Sequence, residues 1–409
     1  MPRILLVSAY LAPAQTVGGR RAERMATQLQ ARGWQVTVLT LRPEYTPPSD
    51  ATLAQPQGVE VIRCHALMPL AWGRLLRDHL RAVRPKQAAA AGSAGPARRP
   101  RLQALRENLL FPDEFIGWLP LALAAVAGRR FDAVLATIPP LTTAVIAAQV
   151  AKRLGVPLVL DYRDPWADSQ GHLGASPELV ARQRRFEDGL LAKAALVVGV
   201  SPVLSDGLQR RTPAPVATIP NAVDVVAAEL TPGAEASLAY TGTLAYGRSL
   251  DATLQALGRL ASQGVSLRLD YAGHHGGTVR GDAERLGVAE LVRDHGEVSK
   301  AAALALVGSA RAGLVTVSPG WNYMYPGKIF DILNAGRPIV LVGPSDCAAA
   351  ELVRRPNLGW AVPHDDEAAL PRALTEVAAG RGFAPVDLAE LSTQTTMDRL
   401  DQHLRQLLG

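Results

Sequence analysis

Short apolar runs alternate along the chain with stretches in which apolar positions return every three or four residues. Ile4–Ser8 is apolar nearly throughout and predicts a strand, and a loop then leads into a helix from about Gly19 to Arg32, with Gly33 placed to end it. Val36–Thr40, Val59–Cys64, Ala133–Thr137, Leu158–Tyr162 and Leu196–Val200 continue the strand series, with a helix over Leu141–Leu154. Strands without polar alternation, joined by helical crossovers, predict a parallel sheet covered on both faces. The rhythm restarts after Ser201. Val216–Ile219, Leu238–Thr241, Leu267–Ala272, Gly313–Val317 and Pro338–Val342 are the next strands, with helices over Ser249–Gln263, Asp282–Leu286 and Lys328–Asn334. Two consecutive parallel-sheet domains fit 409 residues better than one sheet, and the division is expected around Ser201–Gln209. Thr396–Leu408 closes the chain as an amphipathic helix.

Composition narrows the function classes. With 48% hydrophobic and 20% charged residues the chain is globular, and Cys64 and Cys347, its two cysteines, exclude a disulfide framework or a cysteine-based metal site. The net charge of +6 comes from five lysines and 38 arginines set against 37 acidic residues. That arginine bias, with aromatics at only 5%, weighs against nucleic acid as a partner. No stretch reaches the roughly 18–20 apolar residues of a spanning helix, and the N-terminal run is a strand and not a leader. A cytoplasmic location is expected. The segment Leu67–Arg106 breaks the rhythm with nine cations, Arg106 included, around the tract Ala88–Pro96. Two readings stay open for it: a solvated linker, or a patch that meets anionic lipid at the inner membrane face.

Candidate chemistry gathers at strand ends. Gly18 and Gly19 stand at the first helix entrance, where small residues let a phosphate or sugar approach backbone amides. They do not form the dinucleotide fingerprint, which disfavours a nicotinamide dehydrogenase. Asp161-Tyr162-Arg163-Asp164 follows a strand, at the edge where open α/β sheets take ligands. A salt-bridged loop is the plain alternative. Gly242 and Thr243 end another strand, and Arg248 opens the next helix. Further on, Tyr325-Pro326-Gly327-Lys328 opens a helix with Asp331 one turn along. Lys328 there opposes the helix dipole unless an anion meets it, while Asp331 can accept from a ribose diol. Together these residues describe a nucleotide-diphosphate cradle. His274 and His275 lie in a loop that would approach it, as a nucleotide contact or an idle turn, and no third ligand supports a metal.

In their order and spacing these segments resemble the retaining glycosyltransferase family four. They are the Gly-Gly loop, Asp161 to Trp166, Ile219 to Asp224, the Tyr240-Thr241-Gly242 strand end and the Pro326 to Asp331 helix. The resemblance implies the GT-B fold, with two Rossmann-like domains facing across a cleft. Residues 1–203 would bind an acceptor and residues 204–395 a nucleotide sugar, with residues 396–409 as a helix crossing back. It also implies transfer of a sugar, a hexose by the family pattern, to a glycan, lipid-linked or small-molecule acceptor, without a required cofactor. Arg248 and Lys328 would neutralise the leaving diphosphate, Asp161 or Asp164 would orient the acceptor hydroxyl or donor sugar, and Gly18, Gly19, Gly242, Thr243, His274, Tyr325, Gly327 and Asp331 would contact the donor. The chain departs from the family pattern in three places: Tyr323 stands where a first glutamate is usual, Thr243 replaces an arginine, and Asp161 replaces a histidine. An epimerase or hydrolase on the same fold, or a catalytically degenerate scaffold subunit, are the alternatives.

Overall fold

The computed structural model describes residues 1–14, 16–46, 55–67, 110–172, 175–224, 235–244, 247–274, 276–356, 358–380 and 388–409. Almost all of the arginine-rich segment, and His275, lie outside the described residues.

The chain forms two compact units, residues 1–199, 207–217 and 399–409 in one and residues 200–206 and 218–398 in the other. In the first, β1 (Arg3–Val7), β2 (Gln35–Leu41), β3 (Glu60–Cys64), β4 (Ala133–Ile138), β5 (Leu158–Tyr162), β6 (Leu196–Gly199) and β7 (Val216–Thr218) build a seven-stranded sheet in the order β3-β2-β1-β4-β5-β6-β7. In the second, β8 (Ser237–Thr241), β9 (Arg268–Ala272), β10 (Val292–Asp294), β11 (Ala312–Thr316), β12 (Ile339–Gly343) and β13 (Gly359–Pro363) build a parallel six-stranded sheet ordered β10-β9-β8-β11-β12-β13. The all-apolar runs follow from this burial: every residue of β4, β5, β11 and β12 is buried.

Helices complete the crossovers. The first unit has α1 (Val17–Ala31), α2 (Leu119–Ala125), α3 (Thr142–Leu154), α4 (Trp166–His172) and α5 (Pro177–Leu191), followed by α6 (Pro202–Gln209) at the passage between units. The second has α7 (Asp251–Ser262), α8 (Gly276–Arg285), α9 (Lys300–Ser309), α10 (Gly327–Asn334), α11 (Ala348–Val353) and α12 (Ala369–Ala378). The last helix, α13 (Thr393–Gln406), begins in the second unit and ends in the first, where Trp34 donates to Asp401 at 2.6 Å and Arg405 to the Arg32 carbonyl at 2.6 Å.

One expectation is corrected. The strand Val216–Thr218, which follows the expected division, belongs to the first sheet as the edge strand beside β6, so the chain enters the second unit at Val200, returns at Gly207 and leaves again after Ala217. A three-residue strand carries no directional signal of its own, and only its pairing partner assigns it to a sheet.

Both sheets reverse their winding direction once, between β1 and β4 and between β8 and β11. Ligands of open α/β sheets bind beyond the strand C-termini at such switch points. At the second, pairing is confined to Ala312↔Leu238 and Gly313↔Ala239, whereas β8 pairs with β9 over five rungs. The strands therefore part towards their C-terminal ends. Gly313 lets α10 settle on this opening: a Cβ there would stand 2.3 Å from the Ile332 side chain. Among the described residues no helix is long and apolar enough to cross a membrane.

Candidate active site

The second unit concentrates charge where β8 and β11 part. β8 ends at Gly242, whose φ of +107° is a backbone conformation glycine adopts without penalty. The next loop must pass close by, and it does: a Cβ on Gly273 would lie 2.3 Å from the Gly242 carbonyl oxygen. Beneath these turns Tyr240 and Tyr271, cross-strand partners, stack with centroids 5.7 Å apart and planes at 7°. Lys328 extends its ammonium over the Tyr240 face, 3.4 Å from the centroid. This is a cation–π contact, which steadies a charge without meeting its hydrogen-bonding needs.

Lys328 Nζ is buried and, among the described residues, has no hydrogen-bond partner. Burial first, and the nearby Arg248 charge second, hold its pKa well below the usual lysine range, with Asp331 opposing them. Arg248 also reaches the Tyr240 hydroxyl, whose pKa burial raises. One hydroxyl just beyond β11, Ser318 Oγ, is buried and without a hydrogen-bond partner in the same sense. Helix α10 begins at Gly327 behind Pro326, which offers no side-chain acceptor to the first amides. Unmet donors and positive charge converge on one strand edge. A diphosphate answers both.

Other expected residues fall around this core in different ways. Asp331 lies one turn along α10 and is in contact with the Lys300 ammonium. Thr243 is exposed, and its carbonyl stands 3.5 Å from the Tyr240 hydroxyl. His274 is exposed and pairs with Glu297 at 2.5 Å. Tyr323 offers its carbonyl to Ser201 Oγ at 2.5 Å. Tyr325 is packed inward. It is 8% exposed, packs edge-on against Phe330 within the core beneath α10, and burial pushes its hydroxyl pKa up to about 12.

The first unit's strand edge is built differently. Asp161, at the end of β5, is fully buried, and Arg21 of α1 clasps it, Nη2 to Oδ1 at 2.7 Å and Nε to Oδ2 at 2.9 Å. Both carboxylate oxygens of Asp161 thus serve a buried ion pair. Gly18 and Gly19 lie in the first turn of α1. The Gly19 amide is already used, donating to the N-cap Thr16 Oγ1 at 2.9 Å. A Cβ on Gly18 would stand 2.0 Å from Arg163 Nη1, so that glycine makes room for a guanidinium and not for a phosphate. Arg163 donates to the Pro139 carbonyl. Asp164 stays partly accessible beside it, and burial raises its carboxyl pKa against the pull of Arg163. Tyr10, packed edge-on to Phe115, completes the cluster.

Sequence reasoning missed Arg21, Lys300 and the Tyr240 platform. Each acts on a residue distant in sequence, and only the cation at a helix start hinted at two of them. A cavity of about 720 Å³ lies at the opposite end of the second sheet, lined by Glu235, Arg268 and Arg311 at strand starts. No helix N-terminus faces ligands at that end of a parallel sheet. Among the described residues no group of three or more His, Cys, Asp or Glu side chains gathers to hold a metal.

Two parallel-sheet domains of this kind, with switch-point edges bearing such residues, define a glycosyltransferase of the GT-B fold. Residues 18–222 match the glycosyl transferase 4-like domain, and the chain belongs to that family. Among curated proteins none matches the sequence. Solved structures are similar in fold over nearly the whole length. Sucrose-phosphate synthase from Thermosynechococcus elongatus superposes with a TM-score of 0.70 at 16% identity, covering 100% of this chain and 99% of that one. Trehalose 6-phosphate synthase from Burkholderia multivorans gives 0.66 at 16% identity, over 100% and 97%. HepE from Anabaena, solved with UDP and glucose, gives 0.63 at 14% identity, over 99% and 100%.

Proposed function

We propose that the enzyme transfers a sugar, with retention, from a nucleoside-diphosphate donor held by the second unit. The acceptor is a hydroxyl of a glycan, a lipid-linked glycan or a small molecule, oriented by the first. The observation that carries this reading is the buried Lys328 ammonium, which has a π-face beneath it and no hydrogen-bond partner among the described residues. An unpaired buried charge is costly. A diphosphate, whose negative charge grows as the sugar bond breaks, removes that cost when it matters for rate.

The roles follow from the chemistry. Lys328 and Arg248 stabilise charge on the departing phosphate, assisted by the amides that open α10 at Gly327. Gly242 keeps the strand end free of side chain, and Asp331 accepts from the ribose. Asp161, enclosed by Arg21, does not serve as a covalent nucleophile. The leaving phosphate oxygen takes the acceptor proton on the face it leaves, which preserves anomeric configuration. Asp164, accessible and with a raised pKa, accepts a hydrogen bond from the acceptor hydroxyl. Contact of the arginine-rich segment with anionic lipid would bring a lipid-linked acceptor near.

A thermal-shift screen of UDP-, GDP- and ADP-sugars tests the donor assignment. A ligand at 100 times its Kd adds about 2.7 kcal/mol of stability. Stabilisation by one of these in wild type, absent in Lys328→Ala, is the expected result. No response to any of them removes the diphosphate cradle. Product analysis then separates transfer from hydrolysis or epimerisation, which consume the donor without an acceptor.

A further inference from the structure

Helix α9, with the sequence KAAALALVGS, carries a single charged side chain, Lys300 at its first position. A cation there opposes the helix dipole, and the helix has no acidic residue to answer it. Ser299 caps the helix by accepting from the Ala302 amide at 3.2 Å, so the cap does not engage the ammonium. Lys300 reaches instead to the neighbouring helix, where Nζ contacts Asp331 Oδ2. The Asp331 side chain is 16% exposed and that of Lys300 35%, so one ion is sheltered and the other stands at the rim. At the far end of α9, Arg337 donates to the Gly308 carbonyl at 2.9 Å. The helix is thus tied at both ends to the segment that carries the donor site.

Resting on the assignment of Asp331 to the ribose, we infer that Lys300 is a positioning residue of the donor site. It holds the Asp331 carboxylate turned towards the ribose diol. An aspartate has a shorter reach than the glutamate usual at this position by resemblance, so its orientation matters more. An ionised carboxylate has about four lone-pair sites, enough for an ammonium and two hydroxyls together. Lys300 therefore sets how strongly the enzyme prefers a ribonucleotide to one lacking the diol. The diphosphate, held by Lys328 and Arg248, does not depend on it.

The test is calorimetric titration of UDP and 2′,3′-dideoxy-UDP, without acceptor, into wild type, Asp331→Ala, Lys300→Met and Lys300→Arg. ADP and its dideoxy analogue serve if UDP does not bind. Hydrogen bonds to a charged acceptor predict a wild-type preference for the diol of roughly 10- to 100-fold. Asp331→Ala abolishes it. Lys300→Met is expected to reduce it to within about threefold of unity, on the same hydrogen-bond scale, while affinity for the dideoxy nucleotide stays nearly constant. Lys300→Arg restores most of the preference. Should Lys300→Met fold poorly, Lys300→Gln gives the same ratio without the charge. Equal weakening of both nucleotides by loss of Lys300, or full retention of the preference, overturns the inference and leaves the ribose assignment standing. Absence of any preference in wild type, or its survival in Asp331→Ala, overturns the ribose assignment and the inference with it.

Discussion

The two strand edges bear the same kinds of residue and use them in opposite ways. At the end of β5, Asp161 and Arg21 are both buried and satisfy one another. At the parting of β8 and β11, Lys328 is buried over Tyr240 without a hydrogen-bond partner among the described residues. Charge that is buried and paired within the protein supports the fold. Charge that is buried and left unmet anticipates something from outside. The difference separates residues that sequence alone offers equally as site candidates, Asp161 at a strand end and Lys328 at a helix start.

Breaking the satisfied pair should have the largest effect. Asp161→Ala strands the Arg21 guanidinium in the interior, and removing one partner of a buried pair costs about 3–5 kcal/mol. Urea denaturation should show that loss, and the double variant Arg21→Met with Asp161→Leu should recover much of it. A stable Asp161→Ala protein with normal unfolding would erase the contrast between the edges.

Lys328→Ala should do the reverse: with the buried ammonium gone, the empty protein should keep or raise its urea midpoint. Turnover should fall roughly 100- to 1000-fold, the loss of about 2.7–4 kcal/mol of transition-state stabilisation. Retained turnover would mean that Arg248 and the helix amides suffice.

The depressed Lys328 pKa sharpens the comparison through pH. In the empty protein its burden on stability is absent above the unfolded pKa, grows as pH falls towards the depressed folded value, and is complete below it. A bound diphosphate raises that pKa. Between the empty and bound values, binding takes up a proton and affinity weakens as pH rises. Titrations in buffers of different ionisation enthalpy should reveal this uptake in wild type and not in Lys328→Met. Identical enthalpies across buffers would place the anion elsewhere.

A smaller effect is expected at the seat of α10. Gly313→Ala pushes a methyl against Ile332, and overpacking of this kind costs about 1–3 kcal/mol. Its loss of nucleotide affinity should exceed that of an equally destabilising change in the first unit. The arginine-rich segment offers the mildest test. Binding to acidic vesicles that falls with salt, screened within about 8–10 Å, supports a lipid contact, and equal binding to neutral vesicles argues for a linker.

Much of the architecture was legible because burial on both faces writes itself into composition. Apolar runs such as Val134–Ile138 and Ile339–Val342 could only be interior parallel strands. Partly exposed strands such as β10 and β13 carry no such run, and the pairing of the three-residue β7 with β6 has no local signal. Lys328 stands out in the sequence because a cation opening a helix is locally unfavourable and so demands a reason.

The sequence by itself determined the class of fold, the repetition of the sheet and the chemistry available at the strand ends, since each depends on neighbours a few positions away. Only the tertiary structure decided which of those residues are already satisfied. Arg21 meets Asp161 across 140 positions, Lys300 meets Asp331 between helices, and Arg163 covers Gly18. Pairing of buried charge is a property of space, because desolvation is relieved by whatever stands within hydrogen-bond reach and not by what precedes it in the chain.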